Sequence, residues 1–278
     1  MDHQYTIDDR IFEVSLLSGI EGARDIEGCG VYLIGGGAIQ FYAHDPALRR
    51  PTLDCDLQGT CIFPKSLRKK WGTAALERLR SRGFSGVYKH ARTGAEVKLG
   101  TSSGEQPFFL HLDAYTPHYF AEHQREIMEA YERRMPLNLE GGMANIFYDV
   151  QSPEDLLSYK LRRPLVGVKM GRLCPEDEEI INTIAAGGID DVEVGDLEER
   201  LNDTLALRGM GMEEITRNGH LEATQLLDKY KDQKDIYDIL LLIESDRKNK
   251  LFGDKQIIKE SVERYLPYLP APSQYHSP

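Results

Sequence analysis

The segment that most constrains the fold of this chain joins a short apolar run to a glycine turn. Leu33 and Ile34 are followed directly by Gly35, Gly36 and Gly37, and a further apolar stretch comes next. This order predicts a strand, a turn and a helix. Because glycine has no side chain, such a turn lets the backbone approach an anion closely, with the N–H groups of the helix start directed at it. Alone, three glycines more often form a flexible turn than a phosphate-binding loop.

Two carboxylates follow the glycine turn on the next predicted strand. Asp54 and Asp56 stand at positions i and i+2, just after Thr52. Alternate residues of a strand share a face and advance about 6.6 Å, so both carboxylates can converge on ions a few ångströms apart. An isolated Asp-x-Asp is common on solvated loops. In the order strand, glycine turn, helix and strand, it indicates a two-metal site for moving nucleotidyl groups.

A later strand carries polar side chains on one face. In the run from Phe108 to Tyr115, period-two alternation places His111, Asp113 and Tyr115 opposite three apolar residues. His111 shares the face of Asp113 and can orient a carboxylate or touch a substrate. The shorter strand around Glu96 alternates in the same way. Asp113 is favoured over Glu96 as a third acid because its strand is more apolar and central in character.

The pattern of apolar residues divides the chain into an α/β first half and a helical second half. Gly, Pro and Ser residues mark the limits of the predicted strands and helices. A proline fits the first turn of a helix, and a glycine fits the end of a helix. Strands are predicted near 30–34, 54–60, 86–91, 95–99 and 108–115, and helices near 37–43 and 64–81. The predicted domains are 1–150 and 151–266, followed by a flexible tail, 267–278.

These features resemble the DNA polymerase β-like nucleotidyltransferase superfamily. Within it, the chain is most similar to the AbiEii/AbiGii-type toxins, whose relatives include the MenT toxins. The residues that carry this similarity are Gly35-Gly36-Gly37 and the spaced motif Arg50-x-Thr52-x-Asp54-x-Asp56. The resemblance extends from Val31 to Leu242. It implies an α/β (α+β) catalytic domain with a mixed sheet, followed by a mainly helical C-terminal domain that completes the nucleotide site.

A helix predicted to begin at Ser152 carries a lysine on its inward stripe. Ser152 fits the N-cap and Pro153 the first helical position, and Lys160 lies two turns further on. A lysine at such a position either has a specific role or extends past the core to solvent. Pro164 is predicted to end this helix early.

The resemblance assigns roles to this helix and to a later one. It implies that Lys160 contacts the nucleoside triphosphate, and it matches a second signature to Lys234, Asp235 and Asp238. The two aspartates lie on one side of their helix, where they orient Lys160 or the nucleotide, or form a solvated face. The implied nucleotide-binding residues are Gly35, Gly36, Gly37, Thr52, Lys160, Lys234 and Asp235.

The implied chemistry is transfer of a nucleoside monophosphate from an NTP to an acceptor hydroxyl. Asp54, Asp56 and Asp113 are the expected catalytic residues and ligands of two Mg²⁺ ions. The toxin relatives modify the 3′ end of tRNA, so RNA is the expected acceptor and a cognate antitoxin an expected partner. The alternatives are a protein side chain, an aminoglycoside, or an inactive nucleotide-binding interaction module. The three intact carboxylates argue against the inactive module.

The charge and the composition of the chain limit the classes of function that it can have. A net charge of −11 argues against a protein that coats nucleic acid non-specifically. The basic stretch Arg68-Lys69-Lys70 and neighbouring arginines form either a local rim for an RNA end or ordinary solvated helix faces. Four cysteines without a Cys-x-x-Cys spacing predict reduced thiols and no zinc site. A polar N-terminus and the lack of a long apolar run predict a cytoplasmic protein without a membrane partner.

Overall fold

The computed structural model describes residues 9–24, 26, 30–52, 54–62, 65–90, 94–99, 108–115, 117–139, 146–217 and 220–269. The chain divides into two compact units. The first unit comprises Met1–Phe41 and Pro51–Ser152, and the second comprises Tyr42–Arg50 and Pro153–Pro278. The second unit therefore takes in a short segment from within the first half of the sequence.

The first unit is built on a mixed sheet with flanking helices. Its strands are β1 (Val31–Ile34), β2 (Asp54–Ile62), β3 (Gly86–His90), β4 (Gly94–Leu99), β5 (Phe108–Tyr115), β6 (Met135–Leu139) and β7 (Ile146–Val150). Its helices are α1 (Asp9–Arg24), α2 (Gly35–Tyr42), α3 (Lys65–Ser81) and α4 (Pro117–Glu132). The seven strands lie in the order β3-β4-β5-β2-β1-β7-β6. The pairs β2/β5 and β1/β7 are parallel and the other pairs are antiparallel.

One face of this sheet forms the core with α1 and α3. Leu57, Leu110 and Leu112 are fully buried on that face. The indole Nε1 of Trp71 in α3 donates a hydrogen bond of 2.8 Å to the carbonyl oxygen of Gly19 in α1, which ties the two helices together. Burying this apolar face supplies the main drive for the unit to fold.

The opposite face of the sheet is polar. Residues of β5 alternate strictly between buried and half-buried, as the sequence predicts. His111, Asp113 and Tyr115 are the half-buried set. At one end of this face, Tyr32 packs against Tyr131 of α4, with ring centroids 5.9 Å apart. The polar side chains thus stand on a sheet whose other side is filled with hydrophobic residues.

The second unit is mainly helical. It contains α5 (Pro153–Lys169), α6 (Pro175–Ala185), α7 (Leu197–Arg217), α8 (His220–Asn249) and α9 (Gln256–Tyr265), with short 3-10 helices at Pro46–Leu48, Ile189–Asp191 and Leu266–Tyr268. The predicted fold class, an α/β part with a mixed sheet and a helical part, is confirmed. Of the tail predicted for 267–278, residues 270–278 lie outside the described part of the chain.

Two details of the predicted elements differ in the structure. The helix expected near 37–43 begins at Gly35, so the three glycines are themselves its first turn. The prediction that Pro164 ends its helix is wrong, because α5 continues through Pro164 to Lys169. Proline removes one helical hydrogen bond at a cost of about 3 kcal/mol. Burial of Leu161 and Leu165 on either side offsets that cost.

None of the helices in the described part of the chain combines the length and the apolar character needed to cross a membrane.

Candidate functional site

The glycine turn lies directly against a carboxylate of the Asp-x-Asp pair. Gly35 follows Ile34, the last residue of β1, and has a φ of 71°, a conformation that L side chains rarely adopt. A Cβ atom at this position would collide with Oδ2 of Asp56. Glycine is therefore required here both by backbone conformation and by the space that Asp56 occupies.

The other two glycines have different local surroundings. A Cβ atom on Gly37 would lie 2.7 Å from Cε2 of Phe12, so this glycine lets α2 pack closely on α1. The carbonyl oxygen of Gly36 accepts a hydrogen bond of 3.2 Å from Nε2 of Gln40 within the helix. The N–H groups of a first helical turn have no partner inside the helix and can bind an anion.

The two aspartates stand together on the polar face of β2. Both side chains are half-buried, while Cys55 between them points into the core. Burial raises the pKa of the Cys55 thiol well above its usual value, and the negative charges of Asp56 and Asp54 raise it further. Oγ1 of Thr52 donates a hydrogen bond of 2.5 Å to Oδ1 of Asp54, which orients that carboxylate.

His111 joins the aspartate pair from the neighbouring strand. It is the cross-strand partner of Asp56 in the parallel pair β2/β5. One ligand atom from each of Asp54, Asp56 and His111 lies within 4.8 Å of the others. Carboxylate oxygens and imidazole nitrogens are the usual protein ligands of divalent first-row metal ions. The donor set therefore fits a divalent cation.

Asp113 lies one position further along the polar face of β5. Its cross-strand partner on β2 is Gln58, whose Nε2 donates a hydrogen bond of 3.3 Å to the carbonyl oxygen of Asp113. The role of Asp113 as third metal ligand stays a prediction. Glu96, the alternative acid, is the cross-strand partner of His111 on β4, with Oε2 3.7 Å from Nδ1 of His111. The register thus places Asp56, His111 and Glu96 in one row.

The basic residues of α3 lie on the other side of the sheet from Asp54 and Asp56. This helix packs on the apolar face, where Trp71 is fully buried. Arg82, which follows the last residue of α3, forms an ion pair with Glu21, because its Nη2 lies 2.9 and 2.8 Å from the two carboxylate oxygens of that residue. The basic stretch of α3 is therefore not a rim of the aspartate cluster.

The second unit contains a buried group of charges around Lys160. Its Nζ lies 2.8 Å from Oδ1 of Asp235 and 2.9 Å from Oδ2 of Asp238. All three side chains are buried, with 5%, 6% and 0% exposure respectively. Lys160 does not extend to solvent, and the two aspartates are not a solvated face. Of the alternatives drawn from the sequence, the structure favours aspartates that orient Lys160.

Arg50 completes this group from a distant part of the sequence. Its Nε and Nη2 donate hydrogen bonds of 2.6 and 2.7 Å to the two oxygens of Asp238. Burial alone would raise the pKa of Asp238, but the charges of Arg50 and Lys160 outweigh it and lower that pKa. Burial likewise opposes the charge of Lys160, but Asp238 and Asp235 raise its pKa. Lys160 and Asp238 therefore both stay ionised at neutral pH.

Lys234 has the opposite environment. Burial lowers its pKa to about 8, and repulsion from Arg50 and Lys160 adds to the shift. Within the described part of the chain, Lys234 makes no hydrogen bond or ion pair, although Asp235 and Asp238 are near enough to favour its charge. The group formed by Arg50, Lys160, Lys234, Asp235 and Asp238 thus has three cations and two acids, and Lys234 is the cation without an ion pair among the described residues.

Comparison with known proteins adds structural neighbours. No protein-family model and no curated protein sequence matches the chain. A nucleotidyltransferase-like antigenic protein from Paracoccidioides brasiliensis is 20% identical with a TM-score of 0.35, over 64% of this chain and 76% of that one. The antibiotic-resistance factor ANT(2'')-Ia is 17% identical with a TM-score of 0.33, and the match covers 74% of this chain and 98% of that protein. JHP933 from Helicobacter pylori is 11% identical with a TM-score of 0.30, and the match covers 95% of this chain and 98% of that protein.

Proposed function

We propose that this chain is a metal-dependent nucleotidyltransferase that moves a nucleoside monophosphate from an NTP to an acceptor hydroxyl. The observation that carries this proposal is the meeting of Asp54, Asp56 and His111 beside the glycine turn that begins α2. Metal-binding donors next to the N-terminus of a helix supply the two things that a triphosphate needs, a cation and directed N–H groups. The finer assignment to AbiEii-type or MenT-like toxins belongs to the same proposal.

The reaction exchanges one phosphorus–oxygen bond for another. The acceptor hydroxyl oxygen bonds to the α-phosphorus, the bond to the bridging oxygen of the β-phosphate breaks, and pyrophosphate leaves while the hydroxyl proton passes to solvent. Asp54 and Asp56, with Asp113 as the third predicted ligand, would hold Mg²⁺ ions. When bound, these ions neutralise charge on the phosphates and favour loss of the hydroxyl proton. Thr52 fixes Asp54 for this task through its short hydrogen bond.

The resemblance implies nucleotide-binding residues in each of the two units. The N–H groups of Gly35, Gly36 and Gly37 would bind phosphate oxygens. The resemblance gives Lys160 a contact with the triphosphate and includes Lys234 and Asp235 among the nucleotide-binding residues. Because Asp235 and Asp238 already neutralise Lys160, we assign the direct contact with a phosphate to Lys234 and a positioning role to Lys160.

The proposed acceptor is an RNA 3′ end, as in the toxin relatives, and a cognate antitoxin is the corresponding partner. A protein side chain or an aminoglycoside is the alternative acceptor. Arg162 and Arg163, which follow Lys160 in α5, are candidates for binding the RNA backbone. Arg163 is exposed, and the guanidinium of Arg162 stacks 3.7 Å from the ring centroid of Tyr265.

Purified protein should be incubated with each α-labelled NTP and Mg²⁺ in the presence of total RNA, cell protein or aminoglycosides. The proposal predicts labelled RNA, and labelling that falls steeply with salt because the contacts are to phosphates. Label on protein or on an aminoglycoside would contradict the RNA assignment and leave the transfer chemistry intact. Absence of label on every acceptor with every NTP would contradict the transfer itself.

A further inference from the structure

The metal-binding cluster has an unusual third donor for a site that is expected to hold Mg²⁺. Two of its members are carboxylates, but the third is the imidazole of His111, brought in by the register of β2 and β5. Mg²⁺ prefers oxygen ligands and gives up its waters reluctantly. Imidazole nitrogen instead suits first-row transition metals, and carboxylates suit Mn²⁺ as well as Mg²⁺.

A carboxylate and an aromatic ring lie beside the ring of His111. Nδ1 lies 3.7 Å from Oε2 of Glu96 on one side, and Asp56 is its cross-strand partner on the other. The ring also stacks on Phe109, with centroids 5.9 Å apart and planes 16° from parallel. A carboxylate beside one ring nitrogen commonly fixes the orientation of a metal-ligating histidine and raises the basicity of its other nitrogen.

We propose that His111 is a metal ligand through Nε2, that Glu96 positions it, and that the site consequently prefers Mn²⁺ to Mg²⁺. This inference rests on the proposed function, since it concerns the same metal site. In the row formed by these three residues, Asp56 and His111 are then metal ligands, and Glu96 orients the ring of His111. The site remains a mixed carboxylate and imidazole site, unlike one built from three carboxylates.

The test is direct binding of Mn²⁺ to the full chain without nucleotide, followed by electron paramagnetic resonance, with Mg²⁺ as competitor. His111→Ala should weaken Mn²⁺ binding at least about tenfold and Mg²⁺ binding less than about threefold, so the preference for Mn²⁺ narrows. Glu96→Gln should weaken Mn²⁺ binding about tenfold, the scale found for residues that orient a metal ligand. The matched control is His118→Ala, an exposed histidine that also pairs with a glutamate and should change nothing.

Thermal melts of the metal-free variants establish that each is folded. If His111→Ala is unfolded, His111→Gln replaces it, because glutamine keeps the polar bulk but offers oxygen, which should shift the preference towards Mg²⁺. Equal loss of both metals, or no change in either, would overturn the inference. So would loss of Mn²⁺ binding in Asp113→Asn with none in His111→Ala. Nucleotidyl transfer by the wild type in Mg²⁺ is measured separately. Failure of the metal preference and failure of the proposed function can therefore be told apart.

Discussion

At the scale of single residues, Lys160 and Lys234 carry the same charge but have opposite surroundings. Lys160 is neutralised by two buried aspartates, whereas Lys234 is repelled by Arg50 and Lys160. From the sequence alone, Lys160→Met is expected to leave stability nearly unchanged, because methionine preserves the apolar stem of the side chain. The structure changes that expectation, because the carboxylates around Lys160 would lose their partner.

Lys160→Met should destabilise the protein by about 3 kcal/mol. The cost arises because Asp235 would remain buried without its closest cation, whereas Asp238 would keep its two hydrogen bonds from Arg50. Urea denaturation measures the change in the free energy of unfolding. Lys169→Met, an exposed lysine of the same helix, is the matched control and should stay within about 0.5 kcal/mol of the wild type. An unchanged free energy of unfolding in Lys160→Met would show that the buried ion pairs of Lys160 do not stabilise the protein.

Lys234 should make stability depend on alkaline pH. Its pKa is about 8 in the folded protein and 10.5 ordinarily, so between these values the unfolded chain binds more protons. Stability therefore rises with pH across this window, relative to a variant that lacks the group. The measurement is the difference in unfolding free energy between wild type and Lys234→Met at pH 7, 8, 9 and 10. The variant should be the more stable at pH 7, and its advantage should shrink towards pH 10. A difference that does not change with pH would contradict the lowered pKa.

At the scale of elements, the sequence predicts the five strands from β1 to β5 and the helices α2 and α3 to within a few residues. Alternation also predicts correctly that His111 and Asp113 share a face of β5. It cannot tell which of them lies opposite Asp56, because a shift of two residues between parallel strands keeps every face the same. Arg50 could not be linked to Asp238, 188 positions away, since no local pattern reports such a contact.

The glycine turn provides a test at this scale. Gly35→Ala should lower nucleotidyl transfer at least about tenfold, because its methyl group would displace the Asp56 carboxylate, and it should cost about 1 kcal/mol or more of backbone strain. Gly83→Ala is the matched control, since Gly83 has a φ of 86° but open space around its Cβ position. It should lose stability and keep transfer. Equal transfer by both variants would show that the approach of Gly35 to Asp56 does not matter for the reaction.

At the scale of the whole molecule, the net charge of −11 and the placement of the cations limit what the protein can bind. The sequence reveals the sum of charges and the basic stretch of α3. The fold puts that stretch on the face of the sheet away from Asp54 and Asp56, where Arg82 pairs with Glu21. Composition therefore gives the sign of the net charge but cannot say which cations lie near Asp54 and Asp56, since that depends on how helices cover the sheet.

In the proposed reaction, Asp54 and Asp56 hold the metal ions that promote nucleotidyl transfer. The most direct measurement is the rate of transfer from labelled NTP at a fixed Mg²⁺ concentration by Asp54→Asn and Asp56→Asn. Each variant should lose at least about 10²-fold in rate, the scale of removing one preorganised stabiliser of the transition state, while its thermal melt stays close to that of the wild type. Asp203→Asn, an exposed acid on α7, is the control and should transfer normally. Transfer at the wild-type rate by either Asp54→Asn or Asp56→Asn would contradict the account.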